Sequence, residues 1–204
     1  MANELKQARG KLEQSTVKKY ELLTNDTIEL GGGVTLFRIK ALISFGNVEK
    51  GELGGYVEKE DNLCHSGNAW VTGNAMVYGN ARVYSNADVS GNAKVYDNAL
   101  VSGNAKVYDN ALVSGNAKVT DTARVVDNAR VFGDAKVSDN AKVTDNALVY
   151  GNARVSGDAR VTDNAWVTGN AKVTGNAEVT NIAWVTGNAK VTGNAKVYGG
   201  ELLN

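Results

Sequence analysis

From residue 69 onward the apolar positions keep a strict period of six. Alanine stands at every sixth position from Ala69 to Ala195, and valine at every sixth from Val71 to Val197, giving 22 copies without exception. Within a copy, Ala-x-Val-x alternates with period two, the mark of a short strand with one buried face. The residues before the alanine are mostly Gly-Asn or Asp-Asn, as in Gly187-Asn188-Ala189-Lys190-Val191-Thr192. Both types tolerate positive φ and turn the chain sharply. Asn fills the slot before alanine in 18 copies; Thr122, Asp134, Asp158 and Ile182 are the others. Short strand, tight corner and short strand, with no helix between, predict an all-β solenoid whose strands bond to copies above and below.

Ahead of the array the pattern changes twice. Residues 1–19 read as a polar arm or short helix, with Asn3 as N-cap and Leu5, Ala8 and Leu12 on one side. Residues 20–60 read as a small β cap. Thr27–Leu30 and Val34–Ile39 are candidate strands around Gly31-Gly32-Gly33, and the surface they expose is too large to bury alone. Residues 61–204 form the repeat domain, with Leu63 falling in the alanine slot and His65 in the valine slot. At the far end Leu203 falls in the valine slot, and an open last strand there invites end-to-end stacking.

A large residue followed four positions later by a small one, as in Val191 and Ala195, resembles the hexapeptide repeat of left-handed parallel β-helices, the LpxA-like superfamily. The Gly-Asn-Ala-x-Val version, preceded by Leu53-Gly54-Gly55-Tyr56-Val57 and Asn68-Ala69-Trp70-Val71, is similar to the YdcK-like group. The resemblance implies three hexads per triangular turn, a left-handed coil and a homotrimer. Steric rules for crossovers favour the right hand, so the hand rests on the resemblance alone. With 18 residues per turn the array makes about seven turns, a prism roughly 35 Å long.

Reading every eighteenth residue sorts the outward side chains onto three faces. The first carries Trp70, Asp88, Lys106, Arg124, Lys142, Arg160, Glu178 and Lys196, and reads as mixed and solvated. The second carries Met76, Leu112, Leu148, Trp166 and Trp184 beside Lys94 and Arg130, flanked by Tyr78, Tyr96, Phe132 and Tyr150. An apolar stripe on a polar prism marks an interaction surface. Self-association is the favoured use; a folded-back N-terminal arm or a foreign protein partner are the alternatives. The third face carries Arg82, Leu100, Lys118, Lys136, Arg154, Lys172 and Lys190 with Ser or Thr alongside, a solvated face or an anion-binding one. Interleaved lysines spoil the flat lattice match that its threonines would offer to ice.

Composition narrows the chemistry. Net charge is zero, with 22 basic and 22 acidic side chains, which argues against a general polyanion binder, nucleic acid included, but leaves open how the charges are distributed. Proline is absent. One cysteine, Cys64, excludes an internal disulfide, and no apolar run suits a membrane span. The default expectation is a cytoplasmic protein, or a phage-encoded one made in a host cytoplasm. Asp109, Asp127, Asp145 and Asp163 share one corner on four successive turns, a weak candidate for Ca²⁺ against the plainer reading of Asp in a positive-φ turn.

Many proteins that this chain resembles are acyltransferases, using a histidine base and loops extruded from the coil. No insertion interrupts the hexads here, and the single histidine excludes the three-histidine metal site of carbonic anhydrases on this fold. His65 beside Cys64 reads as part of the cap junction rather than a dyad. No cofactor is expected. The sequence therefore favours a non-enzymatic structural or interaction module. An atypical acyltransferase and an anion-binding module are the alternatives.

Overall fold

A computed structural model describes residues 17–203. The expected helix or arm lies outside the described residues as far as residue 16. Val17, Lys18 and Lys19 are not helical, and Lys19 is buried. Three strands precede the array: β1 (Tyr20–Leu30), β2 (Val34–Ala41) and β3 (Leu53–Val57). β1 and β2 form an antiparallel hairpin in which Leu30 opposes Val34. Its turn needs φ of 86° at Gly32 and 81° at Gly33, which glycine adopts without a steric penalty. β1 is longer than the sequence pattern suggested, because Tyr20–Leu23 pair with Arg38–Ala41 ahead of a bulge.

β2 pairs antiparallel with β3, and β3 pairs parallel with Met76–Val77 on the second face. The hairpin therefore continues one sheet of the solenoid past its N-terminal edge. Ladder groups that an open edge would leave unpaired find partners there. It also covers Trp70, which is only 4 % exposed, with Phe45 and Tyr20 packed edge-on against its ring. The first face is thus buried at its first rung, not solvated throughout.

Beyond β3 the regular strands are two residues long and pair in parallel with the strand one turn on, Lys118 with Lys136 and Val119 with Val137. The alanines and valines of the repeat point inward, and from Ala69 to Val185 none is more than 1 % exposed. The first face has rungs from Trp70 to Lys196 and the second from Tyr56 to Glu201, so the solenoid makes about eight turns rather than about seven. The extra rungs were hidden by a register change. Tyr56 sits over Met76 and Leu63 over Val83, each two residues further apart than the regular 18. Leu63 therefore takes the valine register, and His65 stands in an enlarged corner instead of pointing into the core. A bulge between Val179 and Ile182 shifts the other end by one, so Leu202 and not Leu203 opposes Val185.

Corners are held by stacked side chains. Asn80 donates to Asn98, Asn98 to Asn116 and Asn116 to Asp134, at 3.2, 3.1 and 3.0 Å. The run stops there because a carboxylate accepts but cannot donate onward.

At the N-terminal end a buried lysine does the work of a missing turn. The carbonyl of Ala87 accepts the N–H of Trp70 at 3.0 Å, but no earlier turn serves Ala69 in that way. Lys19 Nζ donates to Ala69 O at 2.7 Å and to Gly67 O at 3.4 Å, 4.6 Å from the Phe45 ring centroid. Burial lowers its pKa from 10.5 to about 8, with the nearby Cys64 pulling the other way. Above pH 8 the unfolded chain holds a proton that the folded chain sheds, so stability rises with pH up to about the unfolded value. Tyr20 acts oppositely above pH 10, because burial, with Glu60, Cys64 and Asp61 adding, keeps its phenol protonated in the folded state. Denaturation midpoints should therefore climb between pH 8 and 10 and then fall. Lys19→Met should remove most of the climb, leaving the part that the lowered Cys64 thiol contributes, and, by orphaning the Ala69 carbonyl, cost about 1–3 kcal/mol.

Candidate functional site

The residues with chemical character lie on the outside, because the inside is nearly invariant. On the second face, strand pairing stacks Met76, Lys94, Leu112, Arg130, Leu148, Trp166 and Trp184 in one column. Beside it Tyr78 and Tyr96 stack with centroids 5.0 Å apart, and Phe132 and Tyr150 with centroids 4.9 Å apart. Both pairs are within 3° of parallel, the arrangement that one-rung spacing imposes on rings in register. Ser114 separates the pairs, and Lys94 and Arg130 interrupt the column, so the stripe is less continuous than its composition suggested.

Its most exposed part lies toward the C-terminal end. Trp166 and Trp184 meet edge to face at 5.1 Å and remain 38 % and 41 % exposed. Next to them Ile182 is 74 % exposed, and these three side chains with Asn164 line a groove of about 310 Å³. Ile182 was missed by the face sorting, which followed only strand positions. The signal was present: Ile182 replaces the asparagine that stacks at this corner elsewhere, breaking a ladder that Asn146 and Asn164 still make at 3.2 Å.

The third face stacks Arg82, Leu100, Lys118, Lys136, Arg154, Lys172 and Lys190 in register. Leu100 isolates Arg82 from the others. Five cations from Lys118 to Lys190 then follow on consecutive rungs, all exposed.

The four aspartates of the acidic corner sit at φ of 59° to 61°. Three of them use a carboxylate oxygen on the next turn's backbone: Asp127 takes the N–H of Asp145 at 3.3 Å, Asp145 that of Asp163 at 3.3 Å, and Asp163 that of Asn181 at 3.0 Å. Hydrogen bonds from Thr180, then from the Asn181 N–H, hold the Asp163 carboxyl below the usual carboxylate range. Among the described residues no group of three or more His, Cys, Asp or Glu is placed to hold a metal ion.

The junction between the N-terminal strands and the array engages both Cys64 and His65. His65 Nδ1 accepts the Lys19 backbone N–H at 3.1 Å, and the ring stacks on Tyr20 at 4.4 Å. Its Nε2 lies 3.7 Å from Glu60. Burial lowers the His65 pKa, opposed by Glu60. Burial alone would raise the Cys64 thiol, but hydrogen bonding with Ser66, at 3.0 Å between side chains, and the charge of Lys19 bring it below its ordinary value. Glu60, Cys64, His65, Ser66 and Arg82 edge a surface concavity of about 660 Å³.

A family model described as the YdcK β-solenoid repeat matches residues 153–169. The chain is a β-solenoid, and over the matched stretch its repeat is similar to the YdcK type. The matched stretch spans nearly one turn, from Ala153 to Gly169, and crosses all three faces. No curated protein matches the chain. Among the described residues no helix is long and apolar enough to cross a membrane.

Proposed function

We propose that this protein is a non-enzymatic structural or interaction module, a rigid β-solenoid that self-associates through its second face. The observation that carries the reading is the cluster of Trp166, Ile182 and Trp184, exposed side by side on a prism whose other large apolar side chains are mostly covered. Large aromatic side chains grouped in an apolar patch are the usual energetic centre of an interface. The finer assignments belong to the same reading: a left-handed coil of the YdcK-like group, residues 20–60 as its cap, and three copies per assembly. The hand and the number of copies are what the resemblance of the hexads implies, and the cap is read from the change of pattern ahead of the array. A cytoplasmic or phage-encoded origin belongs to the same reading.

Multi-angle light scattering tests the proposal. The wild type should run as an oligomer, and Trp166→Asp/Trp184→Asp as a monomer with an unchanged far-ultraviolet circular dichroism spectrum. A monomeric wild type would remove the reading.

A further inference from the structure

We propose that the third face binds a linear acidic polysaccharide, with uronate carboxylates seated along Lys118, Lys136, Arg154, Lys172 and Lys190. Strand pairing places each of these residues directly opposite the next, so the charges repeat once per rung, about every 4.8 Å. Like charges facing each other across a sheet repel, and the face holds five in succession. Among the described residues none of the five has a carboxylate within ion-pair distance, and the same holds for Lys106, Arg124, Lys142 and Arg160 of the first face, where Lys196 alone meets a carboxylate, that of Glu178 at 3.0 Å. An anion arriving at the third face relieves repulsion without first breaking an internal pair.

The first face supplies the contrast that makes this more than a soluble surface. It too stacks four cations, Lys106, Arg124, Lys142 and Arg160, but its column is closed by Asp88 and Glu178. The corner that follows those four cations carries Asp109, Asp127, Asp145 and Asp163 on the same rungs. The corner after the third-face cations has Asp121 and Asp139, then Gly157, Gly175 and Gly193. Those two aspartates accept backbone N–H groups of the next turn, as Asp127, Asp145 and Asp163 do at the first-face corner. The difference between the faces therefore lies in the glycines that follow Arg154, Lys172 and Lys190. Asp134, at the preceding corner, is held by Asn116. The basic ladder is thus least compensated from Arg154 to Lys190.

Spacing and chemistry select the ligand class. In an extended uronate chain the carboxylates alternate sides, so those on one side recur about once every two rungs and meet alternate cations of the ladder. Duplex phosphates rise only about 3.4 Å per strand and fall out of step. Single-stranded nucleic acid is held by aromatic platforms, and beyond Tyr84 this face has none. In their place Thr120, Ser138, Ser156, Thr174 and Thr192 run beside the cations, hydroxyls suited to sugar hydroxyls.

Titration calorimetry with polygalacturonate at near-physiological salt tests the assignment. Saturable binding is expected in the wild type, with a loss of ~tenfold or more in Lys118→Glu/Lys136→Glu/Lys172→Glu. The first-face control Arg124→Glu/Lys142→Glu/Arg160→Glu should retain the wild-type affinity. Where the glutamate variant fails to melt cooperatively, Lys118→Gln/Lys136→Gln/Lys172→Gln replaces it, with a smaller loss expected. Absent binding, equal loss in both sets, or tighter binding of a single-stranded oligonucleotide than of polygalacturonate would each overturn the proposal. Light scattering on the same variants should show an unchanged oligomer, which separates this outcome from that of the second-face reading.

Discussion

Val131→Asp is expected to destroy the fold across the middle of the rod. Val131 is fully buried, and the inward positions of its turn are the same alanines and valines as in the neighbouring turns. Without a cationic or donor side chain inside, a carboxylate there must stay protonated or remain uncompensated. Either outcome costs several kcal/mol. Total stabilities of about 5–15 kcal/mol leave little to absorb this. Because each turn of a solenoid contacts only its neighbours, the damage should cut the array near residue 131, leaving separate N- and C-terminal segments. Hydrogen exchange should therefore show protection lost first around that turn, and thermal melts should lose their single transition. Val131→Thr, which buries only a hydroxyl, should cost about 1–3 kcal/mol and keep one transition. A Val131→Asp protein melting like the wild type would mean that the interior admits water.

Removing residues 169–174, one complete hexad, should leave the protein folded and abolish its association. Ala171 and Val173 are replaced in register by Ala177 and Val179, so the interior is unaltered. Outside, every later residue moves on by one face. Trp184 then leaves the column of Trp166, and the edge-to-face pair at 5.1 Å is lost. Removing residues 127–144 takes out a whole turn instead, and keeps Trp166 and Trp184 on adjacent rungs. Light scattering should find the six-residue deletion monomeric and the 18-residue deletion still oligomeric, although the latter loses more chain. Equal behaviour of the two would disconnect association from the second face. Both should melt cooperatively, since stability in such arrays is close to a sum over turns.

The regular part of the fold was legible because one short rule repeats. Once Ala and Val are assigned inward at period two, the eighteen-residue turn places Lys118 over Lys136 and Trp166 over Trp184, as strand pairing does. The rule failed where the chain departs from it by one or two residues. Counting hexads put His65 into the core, whereas Leu63 took that register and the surplus residues swelled the corner. Counting also carried Leu203 into the last valine slot, which the bulge before Ile182 gives to Leu202. A register slip of this kind leaves no mark in composition, since each candidate residue is a plausible occupant of the slot.

By itself the sequence determined the solenoid and its six-residue period, which follow from local preferences repeated 22 times. The eighteen-residue turn, and with it the membership of each face, came with the resemblance and is what strand pairing shows. Only the tertiary structure decided the N-terminal closure, with Lys19 bonded to Ala69 and Trp70 covered by Phe45 and Tyr20. These partners are 25 to 50 residues apart and obey no period, so only the packed chain brings them together. The structure also separated exposed from merely outward-facing residues. Met76, Leu112 and Leu148 are half-buried between larger neighbours, whereas Trp166, Ile182 and Trp184 stand free. Exposure depends on the side chains one rung above and below, a relation among residues that no single hexad contains.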